Sequence, residues 1–164
     1  MLPPWPGWDG LHPLVIHFPI ALLLVSPLFV LLAMVVPKHG GAFAASALTL
    51  LVLGTGAAFI AVETGEAAAE LATRSEAINA AIESHATLAE TARNVFAGLT
   101  LLYVVILALP RFVKPLSTRT AMVVAQTVFL GLLLAGNLVM AGAAHRGGLL
   151  VHKHGVHAIL PPGS

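Results

Sequence analysis

The sequence predicts an all-α integral membrane protein, an up-down four-helix bundle, and three observations predict it. Of the 164 residues 58% are hydrophobic and only 9% charged, with a mean hydropathy of +0.94, which is too apolar for a soluble domain of this length. Four apolar runs, bounded by proline, glycine or charge, fall at about 13–36, 42–62, 86–109 and 120–143. Each is near or above the roughly 20 residues that cross ~30 Å of hydrocarbon. The links at residues 37–41 and 110–119 are short, so neighbouring helices run antiparallel.

The first run opens with LHPLVIHFPIALLL, residues 11–24. No Lys or Arg precedes it, and it is long and leads into a second span, so it reads as a retained helix and not as a cleaved signal peptide. Pro13 suits a first helical position. Pro19 removes a backbone bond and frees the Val15 carbonyl, which bends the helix beside His17. Trp5 and Trp8 suit an interfacial anchor. The second run carries a stripe of small residues, Ala47, Gly54, Ala58, Ala61 and Gly65, which means close helix packing or room for a flat macrocycle. Residues 63–85 read as a longer polar excursion of helical character. The third run starts after His85. In the fourth, Gln126 and Asn137 are eleven residues apart and so about 20° from eclipsed, a stripe for interhelical hydrogen bonds. Gly147 and Gly148 read as its stop, followed by a histidine-rich tail over 144–164. Residues 1–160 form one domain.

Several chemistries are excluded. No cysteine is present, which removes disulfides, thiolate sites, iron–sulfur clusters and covalent c-type haem. A net charge of +1 provides no concentrated basic face for nucleic acid. The short links hold Lys38, Arg111, Lys114 and Arg119 without an acid, and all seven carboxylates lie in the other segments. The positive-inside rule then puts the links in the cytoplasm and both termini outside. This sorts seven of the eight histidines to the outer face and leaves only His39 inside.

Counting back 24 residues from Val36 and from Leu109, the residues before the two link prolines, lands on His12 and His85; the same count from Ala121 reaches His145. His17 is expected five residues deeper, roughly 7 to 8 Å, and about 140° around the helix from His12. His17 is therefore read as a ligand facing the bundle axis, and His12 as a helix-start residue or a second ligand. Glu63 is a candidate to orient His17 or accept protons, with an interfacial acid reaching water as the plainer reading. Arg93 either pairs with Glu90 three residues away or neutralises a haem propionate or a quinone oxygen. His152, His154 and His157 are either a solvated tail or a chelating run.

The elements HPLVIHFPIALLL, ESHATLAE around His85, and LLVHKHGV after the fourth run resemble those of a bacterial family of predicted four-helix membrane proteins. The resemblance covers residues 11 to about 157. It implies that the family histidines are His12, His17, His85 and His154, and that the chain works with c-type cytochrome or Rieske modules in electron transfer. His152 departs from the family at a commonly aromatic position, and residues 66–84 are an extension.

The leading expectation is a b-type haem protein near the periplasmic face, within a larger complex or oligomer. His17 and His85 would be the axial ligands of the haem iron, and His12, His145 and His154 alternates or a second site. Arg93 and Glu63 would stand beside the cofactor. A quinol is the expected electron donor and a periplasmic cytochrome the acceptor. The other readings are a non-redox assembly subunit and an outer-face copper or zinc site.

Overall fold

The computed structural model describes residues 7–156. A single turn at Asp9–Leu11 leads into α1 (His12–Val15) and α2 (His17–Val35); α3 (Gly40–Glu70), α4 (Glu76–Ala108) and α5 (Arg119–His152) follow. Four helical segments are long and apolar enough to cross a membrane. Helices adjacent in sequence pack side by side, α2 closes the ring against α5, and the diagonal pairs stay apart. This is the up-down four-helix bundle, a multi-pass membrane protein, with its large exposed side chains such as Phe18, Leu24, Leu101 and Leu138 turned outward.

Local chemistry explains the element ends. The helix is interrupted at Ile16, where Pro19, which has no N–H, leaves the Val15 carbonyl without its helical donor. Gly40 opens α3 because a Cβ there would lie 2.8 Å from the Ala33 carbonyl oxygen. The Ser75 hydroxyl caps α4 by accepting from the Ile78 N–H at 3.3 Å, with Glu76 in the first turn to complement the dipole. Thr118 caps α5 in the same way.

At the end away from the basic links the helices run past the apolar segments. The helices α3, α4 and α5 have 31, 33 and 34 residues, about 46 to 51 Å long at 1.5 Å per residue, against ~30 Å of hydrocarbon. The polar excursion at 63–85 is therefore the end of α3 and the start of α4, joined by a tight loop at 71–75. Gly147 and Gly148 do not stop α5. Its end is set by Gly155, whose positive φ of 66° lets the Val156 N–H reach the Leu150 carbonyl at 2.9 Å.

The contacts reveal an internal two-fold relation. Residues of α1–α2 correspond to those of α4 at a spacing of 73, as His12 to His85, and residues of α3 to those of α5 at 82, as Ala61 to Ala143. Gly54 packs on Leu22 and Leu23, and its counterpart Gly136 on Val95, Phe96 and Leu99. The Thr55 hydroxyl donates to the Phe96 carbonyl at 3.4 Å, while the counterpart amide of Asn137 donates to the Leu23 carbonyl at 3.4 Å. Leu23 and Phe96 correspond as well. Such reciprocal contacts, each made in both directions, are what a two-fold axis along the bundle produces. The Leu23 carbonyl is available because Pro27 has no N–H to occupy it, and Ser26 Oγ, at 2.8 Å, shares it.

Symmetry fails at the link end of the core. Val30, Ala44 and Ala47 in the first hairpin face their larger counterparts Tyr103, Gln126 and Phe129 in the second, all six buried. The Tyr103 ring stacks on Phe129 with centroids 4.5 Å apart, but its hydroxyl finds no hydrogen-bond partner among the described residues. An unsatisfied buried hydroxyl costs about 1–3 kcal/mol. Tyr103→Phe is accordingly expected to hold or raise the thermal unfolding midpoint in detergent; a clear drop would show that the hydroxyl is bonded.

Candidate functional site

The end of the bundle opposite the links that carry Lys38, Arg111, Lys114 and Arg119 contains a cavity of about 720 Å³. That is within the range of cofactor and ligand sites. Leu23, Phe96 and Met140 form part of its floor. The small residues Ala58, Ala61 and Gly65 of α3 and Ala143, Ala144 and Gly147 of α5 form opposite walls. The small-residue stripe therefore has two uses: Gly54 closes the helix contact, and the last three members leave space.

Two imidazoles meet across this cavity. The ring centroids of His12 and His85 are 6.5 Å apart, with planes at 76°. Each ring is clamped by the neighbouring helix in an equivalent way. His12 Nδ1 is 2.9 Å from the Ala61 carbonyl oxygen, and His85 Nδ1 is 2.9 Å from the Ala143 carbonyl oxygen. A carbonyl only accepts, so Nδ1 carries the proton in both rings, and in the neutral form the lone pair sits on Nε2. Thr64 Oγ1, 3.3 Å from His12 Nδ1, supports the first clamp. Four residues after each carbonyl stands a glycine, and a Cβ on Gly65 or Gly147 would lie 2.9 Å from Cε1 of His12 or His85. The paired carbonyl and glycine make a seat for one imidazole on α3 and for another on α5.

The other expected site residues separate into those at the cavity and those away from it. His17 is exposed and does not line the cavity; the ring that the structure brings to His85 is that of His12 and not that of His17. The five-residue offset turns His17 to the outer surface and leaves Pro19 and Ile20 facing inward. Glu63, two residues beyond Ala61, is also exposed and does not bond His17. Arg93 lines the cavity; its guanidinium carbon is 5.2 Å from the Phe59 ring centroid and its Nε–H donates to Asn94 Oδ1 at 3.2 Å, its one side-chain hydrogen bond among the described residues. His145 is exposed and away from the cavity, and His154 is half-buried in the turn after α5, outside the lining. His152 lies at the mouth. His157 and Trp5 lie outside the described residues, and Trp8 is exposed. Among the described residues no group of three His, Cys, Asp or Glu side chains is placed to hold a metal ion.

No curated protein and no solved structure matches the sequence. A family model does match, over residues 9–159, under the description "Predicted membrane protein (DUF2231)". The match takes in every helix of the bundle and both imidazole seats, and on it the chain belongs to the DUF2231 family of predicted membrane proteins.

Proposed function

We propose that this is a b-type haem protein of the bacterial inner membrane, with His12 and His85 as its axial ligands. The observation that carries the reading is the pair of matching seats: two helices each present a carbonyl and a glycine to one ring, and the rings face one another across an apolar cavity. An ion bonded to both rings at about 2 Å, with each ring centre ~1.1 Å behind its nitrogen, needs centres about 6 Å apart, and the spacing here is 6.5 Å. Among the described residues no three candidate ligand side chains gather into a metal site, and a pair of imidazoles suits a guest that brings its own planar donor set better than a bare copper or zinc ion, which takes three or four protein ligands.

Haem iron held by two imidazoles supplies one-electron transfer. The residues of the chain then have definite tasks. Ala61 and Ala143, by accepting the Nδ1–H bonds, fix ring tautomer and orientation and make the ligand nitrogens better donors. Ala58, Gly65, Ala144 and Gly147 keep the walls flat. Leu23, Phe96 and Met140 seal the cavity from the inner half of the bundle. With the basic links cytoplasmic, both termini and the cavity lie at the periplasmic face, where a quinol is the fitting donor and a c-type cytochrome the fitting partner, and where a place in a larger redox complex is natural.

The test is a dithionite-reduced minus oxidised visible spectrum of the protein, purified in mild detergent after expression with haem precursor. A sharpened Soret band and a resolved α band of a low-spin bis-imidazole haem are expected. A featureless difference spectrum, with no haem extracted, would remove the assignment.

A further inference from the structure

The two-fold relation supplies two equivalent ligand seats, yet the cavity walls beside them are not equivalent. Arg93 on α4 corresponds to Ile20 on α2, 73 residues earlier, and both line the cavity. The gap between α3 and α4 therefore presents a cation where the gap between α2 and α5 presents an aliphatic side chain.

Arg93 is half-buried, and its two terminal nitrogens have no hydrogen-bond partner among the described residues. The other arginine at the cavity, Arg74, is already engaged, with Asn79 Oδ1 at 3.3 Å and the Ala69 carbonyl oxygen at 2.8 Å. A guanidinium inside a membrane helix is costly unless it meets an anion or reaches water. The carboxylates on this side, Glu66, Glu70 and Glu90, are exposed at the mouth and none pairs with it. Arg93 is eight residues along α4 from His85, about 12 Å at 1.5 Å per residue, and helical side chains lean back toward the N-terminus. Its head group lies over the ring of Phe59, which is two residues before Ala61, the residue whose carbonyl holds His12.

We propose that Arg93 recognises a carboxylate on the edge of the planar guest and so fixes which way round that guest sits between two otherwise equivalent seats. This rests on the haem reading and deepens it: the ligand class is a tetrapyrrole whose acidic edge points into the α3–α4 gap and whose apolar edge lies against Ile20. Without Arg93 the near-symmetric walls would admit either orientation.

The experiment titrates the apoprotein in detergent with haemin, which carries two carboxylates, and with haemin dimethyl ester, which carries none. Wild type is expected to bind haemin more tightly than the ester. Arg93→Gln should weaken haemin binding about ten- to hundredfold, the range of a lost charge-assisted hydrogen bond, and leave ester binding unchanged, which also shows that the variant is folded. Arg93→Lys should recover part of the loss. His12→Ala should lose both ligands. Equal weakening of haemin and ester in Arg93→Gln, or no weakening of either, overturns the role of Arg93 while the haem site stands; if wild type binds neither compound, the haem reading fails and this inference with it.

Discussion

His12→Ala and His85→Ala are each expected to remove bound haem, and to similar degrees, while His17→Ala retains it. The measurement is haem per protein after purification, together with the reduced-minus-oxidised spectrum. Similar losses follow from the two-fold relation, because each ring has the same seat: a carbonyl at 2.9 Å from Nδ1 and a glycine four residues further along the same helix. Neither substitution should unfold the bundle. The orphaned carbonyl of Ala61 or Ala143 keeps its helical N–H partner, and for His85 the loss amounts to about one hydrogen bond, roughly 1 kcal/mol. His145→Ala and His39→Ala, at exposed positions away from the cavity, should resemble wild type. Haem retained in both His12→Ala and His85→Ala would refute the ligand pair, and haem lost in His17→Ala alone would return the assignment to the outer surface of α2.

The number, order and antiparallel course of the helices were legible in the sequence because hydropathy reports on burial in lipid and short links join antiparallel neighbours. The level of the site was legible too: equal counts from the two link prolines bring His12 and His85 to one depth, and in the structure these rings meet. Rotation about the helix axis was not legible. Which of His12 and His17 faces the cavity turns on about 140°, and the structure turns His12 inward and His17 outward. The helix ends beyond the apolar runs were hidden for a related reason. Hydropathy marks where hydrocarbon ends, whereas GEAAAE at the end of α3 and EAINAAIE at the start of α4 continue as helix on the strength of alanine and glutamate. Gly147 looked like a stop because a glycine that ends a helix and a glycine that admits a neighbouring ring are the same letter; only the His85 ring against it separates the two. The two-fold relation escapes a reading by residue type, since corresponding pairs such as Thr55 and Asn137, or Val30 and Tyr103, share position and not chemistry.

Gly65→Val and Gly147→Val should likewise abolish haem binding, although neither residue touches the iron in the proposed site. A Cβ at either position falls 2.9 Å from the imidazole Cε1, closer than carbon atoms approach, and valine adds two methyls beyond it. The ring cannot slide aside freely, because its Nδ1–H is tied to the carbonyl one turn earlier on the same helix; moving it breaks that bond and turns the ligand nitrogen away. Overpacking of this kind typically costs 1–3 kcal/mol, and here it falls on ring orientation. Glycine to alanine at Gly56, Gly98 and Gly131, where an added Cβ meets nothing within 4 Å, is the matched control and should keep full haem with a stability gain of up to about 1 kcal/mol. Haem content and the unfolding midpoint of the apoprotein, measured together, separate two roles. If Gly147→Val loses haem while the apoprotein still unfolds cooperatively near the wild-type temperature, the glycine serves the ring. If haem survives, the 6.5 Å approach of the two imidazoles does not depend on their seats, and the structural reason for assigning them a common guest is lost.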